Sequence, residues 1–526
     1  MSLTKPNATA ATLTKNRTEG SITAVSGMCA TCVDGCIGMC EIGKSAYRGA
    51  EMLYPQPYGL ITAGAEKEYP VDLSHFNIMG TAVGAHGVEA TSEAAIFSNV
   101  NLELAIGSKK DLKLKLPFII PGLGSTAIAK NNWAELAVGC AITGIPLTIG
   151  ENVCGMDPNC VIEDGHVIHS DDLEWRVKLY QDWQRDGYAG TIVQANVEDT
   201  GLGVQEYALK KLGIEIVELK WGQGAKDIGG EVKIKDLAKA QMLKSRGYVV
   251  FPNPMDPEVI DAFKQGVFSE FERHSRVGMV TEDGFMDRVQ ELRNAGAKYI
   301  FLKTGAYRPV DLARAIKFSS KAKIDLLTVD AAGGGTGMSP WRMMNEWGMP
   351  QVEIYSLLYK YADKLANMGE YVPDIAIAGG IIFEDQAYKG LALGAPYFKV
   401  IGMARGPIAA AMVGKTIGKA VESKEVPVYI SRFGRTIEDI FVTSTELKHR
   451  FGADFDSIPV GAIGLYTYMQ RIAQGMRQLM AGNRKFGLSY IERDDIAALT
   501  KEAAEISGIP YIMDVDADKV ETILNS

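Results

Sequence analysis

The sequence predicts an α/β chain whose main unit is a (β/α)8 TIM-type barrel, and three observations carry that prediction. Eight short apolar runs recur between residues 118 and 401. Several are separated by amphipathic stretches of helix length, and strand alternating with helix implies a parallel sheet. Glycine-rich turns follow several of the runs, and eight such units suggest closure into a ring rather than an open sheet.

The runs are 118–121, 145–149, 191–194, 214–219, 299–302, 326–329, 375–378 and 397–401. The sixth is nearly continuous in apolar residues, as a strand buried on both faces must be. It leads into Gly333-Gly334-Gly335-Thr336-Gly337, where missing Cβ atoms let backbone approach a ligand. Helices are expected at 131–140, 285–295 and 310–319. The long interval between the fourth and fifth runs predicts an excursion over the barrel mouth. Residues 1–20 read as a flexible arm, 21–110 as an N-terminal cysteine-cluster region, 111–425 as the barrel and 426–526 as a helical extension. In that extension Ile463, Tyr466, Met469, Ile472, Met476 and Leu479 form one helical stripe, read as core.

The totals narrow the classes. The chain has 526 residues, 47% of them hydrophobic, enough for a large core. A net charge of −9 argues against a nucleic-acid partner. No window approaches the ~18 uninterrupted apolar residues of a membrane span. The opening residues lack the apolar core of a secretory signal, so a cytoplasmic protein is expected.

Cys29, Cys32, Cys36 and Cys40 fall within twelve residues. Thiolates this dense in a reducing compartment read as metal ligands, a [4Fe–4S] cluster before zinc or free thiols, because zinc prefers cysteine pairs separated by a longer knuckle. The spacing leaves room for Cys154 or Cys160 to replace one ligand, although buried free cysteine is their plainer reading.

Barrel enzymes place their chemistry at the C-terminal ends of the strands. There the seventh run is followed by Gly379-Gly380-Ile381 and the eighth by Gly402-Met403-Ala404-Arg405. Loops in these two positions are the usual phosphate cradle, with Arg405 available for a charge-assisted contact. Glu151, Gln194, the 222–226 segment and Lys303 also fall at strand ends. A lysine aimed into an apolar mouth is costly unless it meets an anion. A solvated position is the bland alternative for Lys226 and Lys303.

Pro117 to Gly122, Gly150-Glu151, Gly222-Gln223-Gly224-Ala225-Lys226, Gly229-Gly230, Lys303 and Gly334-Gly335-Thr336-Gly337 with Ser339-Pro340 together resemble the FMN-binding synthase domain of glutamate synthase, in that domain's order. The resemblance covers about residues 110–425 and 455–500. It implies an FMN barrel that reduces an imine derived from 2-oxoglutarate to glutamate. Catalytic positions would be Lys303, Gln223, Lys226 and Glu151. The flavin would lie among Gly122, Gln194, Gln223, Lys303, Asp330, Gly334 and Gly335, with its phosphate on Gly379, Gly380, Gly402, Met403, Ala404 and Arg405.

This chain departs from the family pattern in four places, one of them Gly333, where the family usually has Asp before the GGTG motif. The cysteine motif after the last barrel strand is missing, and the cluster at 29–40 stands in for it, as in stand-alone synthase domains. The Gly-Glu-Gly-Gly-Glu loop is replaced by Gly150-Glu151-Asn152-Val153-Cys154-Gly155. Ser2 follows Met1 and no glutaminase domain fits, so ammonia is expected from a separate subunit. Electrons are expected from ferredoxin or a reductase subunit, and a homo-oligomer is expected. Rival readings are an N-methylglutamate synthase-like enzyme, a flavin-dependent isomerase without net redox change, and a non-catalytic electron-transfer subunit.

Overall fold

A computed structural model describes residues 34, 36, 41–48, 69–222, 228–332, 334 and 339–526. Eight parallel strands close into a barrel: β1 Phe118–Leu123, β2 Leu147–Ile149, β3 Thr191–Ala195, β4 Ile216–Lys220, β5 Tyr299–Thr304, β6 Leu326–Asp330, β7 Asp374–Ala378 and β8 Phe398–Gly402. Each of the eight apolar runs overlaps one strand. Ile145 and Ile214 lie just outside theirs, because hydrogen bonding to the neighbour begins one or two residues later.

Helices follow the strands: α1 Trp133–Thr143, α2 Asp171–Trp183, α3 Val204–Lys211, α4 Glu282–Asn294, α5 Pro309–Ala322, α6 Gln351–Asn367, α7 Glu384–Leu393 and α8 Arg405–Glu422. Their starts follow local chemistry. Ser170 and Thr281 accept the free N–H groups of Leu173 and Gly284, and Pro309 opens α5 where its missing N–H costs nothing.

Side chains facing the barrel axis change character from bottom to top. At the bottom Ile192, Ile216, Tyr299, Phe301, Leu326 and Val400 form one buried apolar cluster. Two or four residues further along the same faces come Gln194, Glu218, Lys220, Lys303, Thr328 and Asp330. The period-two alternation of a strand therefore delivers the charged groups to one end of the barrel.

The bottom is stoppered. Strands Leu104–Ile106 and Leu112–Leu114 form an antiparallel hairpin, and Ile106, Leu112 and Leu114 join the apolar cluster. The turn is tied to the strand starts: the Gly107 N–H donates to Asp374 at 2.8 Å, the Ser108 N–H to Asp325 at 2.8 Å, and Lys110 pairs with Asp374. The helix α9 Val460–Gly482 lies against α8 and buries Ile463, Tyr466, Met469, Ile472 and Met476, while Leu479 is half-buried. The two helices meet at glycines. A Cβ on Gly464 would stand 2.8 Å from the Ala410 carbonyl oxygen and 3.0 Å from the Gly414 Cα. The tail is not purely helical, since its strand Ile496–Ala498 pairs antiparallel with Phe76–Ile78.

The excursion between β4 and β5 is a lobe of its own. Strands Glu231–Ile234, Val249–Phe251 and Phe271–His274 form an antiparallel sheet, backed by helices Leu237–Ser245 and Pro257–Lys264. Its core is Ile234, Ala240, Leu243, Tyr248, Val250 and Phe271. Gly229 has φ +77°, and a Cβ there would stand 2.2 Å from the Ser275 carbonyl oxygen, so glycine is required where the lobe's two ends pass.

Candidate active site

The barrel mouth holds a layer of paired charges. Lys303, at the end of β5, is 3% exposed and lies 3.3 Å from Asp330 at the end of β6. The anion expected for this lysine is therefore supplied within the chain. Gln194 donates its amide to Glu218, and both are buried. Burial pushes the Glu218 carboxyl up; Lys303, Gln194 and Lys220 pull it back. Lys220 pairs with Glu151 at 2.7 Å.

Glycines shape the wall beside this layer. A Cβ on Gly122 would meet Gln194 at 2.6 Å, and one on Gly334 would meet Asp330 at 2.2 Å. Both glycines thus make room for site side chains. Gly124 and Gly150 are needed for backbone packing between the ends of β1 and β2.

The opposite side of the mouth is the cradle. Gly379 and Gly380 have φ +112° and +97°, and Gly380 faces open space apart from Gln351 at 4.0 Å. Gln351 donates to the Gly379 carbonyl at 2.9 Å and Tyr355 to the Ala378 carbonyl at 2.6 Å, which fixes the end of β7. Gly402 ends β8, the Met403 N–H donates to the Ile119 carbonyl at 3.0 Å, and Ala404, at the N-cap position, leaves the start of α8 without a side-chain cap. Arg405 opens that 18-residue helix and is exposed. It forms no ion pair with a described residue. An unpaired guanidinium, a helix N-terminus and bare glycine backbone converge here, and these fit a phosphate. Lys303 and Gln194, with Glu218 and Asp330 behind them, fit the polar edge of a flavin ring.

A cavity of about 490 Å³ opens on the β4–β5 side. Glu151 and Lys220 lie on its wall, with Asn196, Tyr307, Arg276 and Arg314. Tyr307 donates to the Trp221 carbonyl at 2.9 Å, and the Trp221 N–H donates to the Lys303 carbonyl at 2.9 Å, so this wall is continuous with the charged layer. Behind it Asp199 is buried and accepts the Asn152 N–H at 2.8 Å. Burial raises its pKa to about 7, opposed by the Asn152 hydrogen bond and aided by the charge of Glu151.

The structure thus places Glu151, Gln194, Lys303 and Asp330 in one layer, with Gly122 and Gly334 against it and Gly379, Gly380, Gly402, Met403, Ala404 and Arg405 across the mouth. Gln223, Lys226 and Gly335 lie outside the described residues, as do Cys29, Cys32 and Cys40. Cys36 is described and exposed, whereas Cys154 and Cys160 are buried. Among the described residues no group of three or more His, Cys, Asp or Glu side chains is arranged to hold a metal ion. Sequence reasoning passed over Glu218, Lys220 and Asp199. The first two carried a signal, since two charges two apart in Ile216-Val217-Glu218-Leu219-Lys220 must share the inward face with Ile216.

These features define the class: a (β/α)8 barrel whose upper rim combines ion pairs with glycine-rich turns and Arg405 after β7 and β8. Residues 274–411, from before β5 into α8, match the family model described as the conserved region in glutamate synthase. No curated protein matches the chain. Solved structures similar to it include a flavocytochrome b2 variant with pyruvate bound (10% identity, 84% of this chain and 80% of that one, TM-score 0.46). The recombinant flavin-binding domain of baker's yeast flavocytochrome b2 is another (11%, 81% and 77%, 0.45), and a mandelate oxidase variant a third (12%, 80% and 87%, 0.42). No helix among the described residues is long and apolar enough to cross a membrane.

Proposed function

We propose that the chain is an FMN- and iron–sulfur-dependent oxidoreductase that forms glutamate by reducing the imine of 2-oxoglutarate and ammonia. The observation that carries this reading is the layer of Lys303–Asp330, Gln194–Glu218 and Lys220–Glu151 facing the glycine and Arg405 cradle, in a barrel whose β5–β8 half matches the glutamate synthase family model. Gly379, Gly380, Gly402, Met403, Ala404 and Arg405 would hold the FMN phosphate; Gly122, Gln194, Lys303, Asp330, Gly334 and Gly335 would surround the ring. When bound, reduced FMN supplies a hydride, and a [4Fe–4S] cluster on Cys29, Cys32, Cys36 and Cys40 supplies single electrons.

The chain's own residues bind, orient and compensate charge. Lys303 is held rigidly by Asp330 and places its ammonium where negative charge gathers. Lys220, steadied by Glu151, faces the cavity as a cation for a substrate carboxylate, with Arg276 and Arg314 on the same wall. Gln223 and Lys226 are assigned to the second carboxylate. Converting the imine carbon to glutamate takes one hydride and one proton.

The test is anaerobic purification followed by flavin and iron analysis. Glutamate formation is then measured from 2-oxoglutarate and ammonia with reduced ferredoxin, with methylamine as a parallel amine donor. Lys303→Ala should lower turnover by about 10²-fold or more, the scale of losing an electrostatic stabiliser. Protein that neither carries nor takes up FMN defeats the proposal, as does unchanged turnover in Lys303→Ala at full FMN content.

A further inference from the structure

The lobe between β4 and β5 reaches back to the loop that carries Glu151. The Arg246 guanidinium donates to the carbonyls of Gly155 at 2.8 Å, Asp157 at 2.6 Å and Cys160 at 2.9 Å. The Tyr248 hydroxyl donates to Asn152 Oδ1 at 3.0 Å, and a Cβ on Gly155 would stand 1.9 Å from that hydroxyl oxygen. Asn196 donates to the same Asn152 oxygen at 3.2 Å. Asn152 has φ +67°, in the left-handed region that asparagine adopts more readily than other side-chain-bearing residues, and its N–H is held by Asp199. Arg273 lies 5.2 Å from the Tyr248 ring centre and fixes its position. The residue held from three sides is the one directly after Glu151, which pairs with Lys220 on the cavity wall.

We infer that Tyr248 and Arg246 are positioning residues: the lobe clamps residues 152–160 and so sets where the Glu151–Lys220 pair stands in the cavity. The clamp joins two elements that are separate in the chain, and it acts on backbone carbonyls and one amide rather than on the pair itself. Loosening it frees Asn152 from its left-handed turn and lets Glu151 swing away from Lys220. The consequence for substrate binding rests on the function proposed above; the placement of the pair does not.

The first readout needs no substrate. Holoenzyme is treated with limiting acetic anhydride, and acetylation of each lysine is read by mass spectrometry. Glu151→Gln should raise Lys220 acetylation directly. Tyr248→Phe keeps the ring beneath Arg273 and removes the hydroxyl; it should raise Lys220 acetylation about fivefold, the effect of one lost buried hydrogen bond on local opening. Arg246→Ala should do the same, and Arg246→Lys should restore part of the shielding. Lys233, within the lobe, should be unaffected by Tyr248→Phe, which separates loss of clamping from unfolding of the lobe. Lys220 acetylation that stays at the wild-type level in Tyr248→Phe and Arg246→Ala overturns the inference, as does Glu151→Gln without effect. In turnover, Tyr248→Phe should raise the KM for 2-oxoglutarate more than it lowers kcat. Wild-type protein inert towards 2-oxoglutarate removes the proposed function, and lysine acetylation still decides the clamp.

Discussion

A buried charge in this barrel is tolerated only with its partner, and that sets the residue-scale expectations. Lys303 and Asp330 sit 3.3 Å apart at the mouth. Removing Lys303 leaves Asp330 buried without its cation, at a cost of about 3–5 kcal/mol, whereas removing Asp330 leaves Lys303 the neighbouring Glu218 and should cost less. Replacing both by apolar residues should cost less than the sum of the single changes, and a double-mutant cycle read by urea unfolding checks it. Asp199 makes a pH-dependent contribution. Its carboxyl is raised from 3.8 to about 7 in the folded chain, so the native state holds a proton that the unfolded state has released. Stability from this group is therefore present below about pH 4 and declines as pH rises through about 7. Asp199→Asn keeps an acceptor for the Asn152 N–H and removes the charge. It should gain stability on wild type between about pH 5 and pH 8, by roughly 2–4 kcal/mol. Melting curves across that range measure it. Lys303 was legible in the sequence because a lysine closing an apolar strand has few places to go. Asp199 was not, because its burial depends on the backbone turn at Asn152 and on a loop from another part of the chain.

Elements show the same division between local and distant causes. The eight strands were legible because a doubly buried strand writes its burial as a short apolar run. The bottom hairpin was not, since strands of three residues carry too little pattern. Nor was the pairing of Ile496–Ala498 with Phe76–Ile78, whose register is set by segments from distant parts of the chain. The stripe on α9 was read as core, and its glycines state how closely α8 approaches. Gly464→Ala should destabilise by about 1–3 kcal/mol, because the added methyl meets a carbonyl oxygen and a glycine backbone. Gly482→Ala, at the end of the same helix with nothing within 4 Å, should be neutral or slightly stabilising. Thermal or chemical unfolding of the two variants separates packing from helix propensity. α8 bears Arg405 at its first turn, so the glycine contact also helps hold the cradle in place.

At the scale of the whole molecule, the barrel carries charge at one end and a stopper at the other, and a ligand at the mouth should stabilise the entire fold. FMN at a hundred times its dissociation constant should add about 2.7 kcal/mol, read as a rise in melting temperature. Arg405 is exposed and pairs with no described residue. Arg405→Ala should therefore leave the FMN-free melting temperature nearly unchanged and weaken FMN binding by about 10- to 100-fold, the worth of one charged hydrogen bond. The packed floor carries a further implication. With residues 104–114 packed into the lower end, the charged layer is reached from the upper end, by reactant and product alike. A departing product must clear the passage before the next reactant can enter, so the two should exclude one another in kinetics as they do in space.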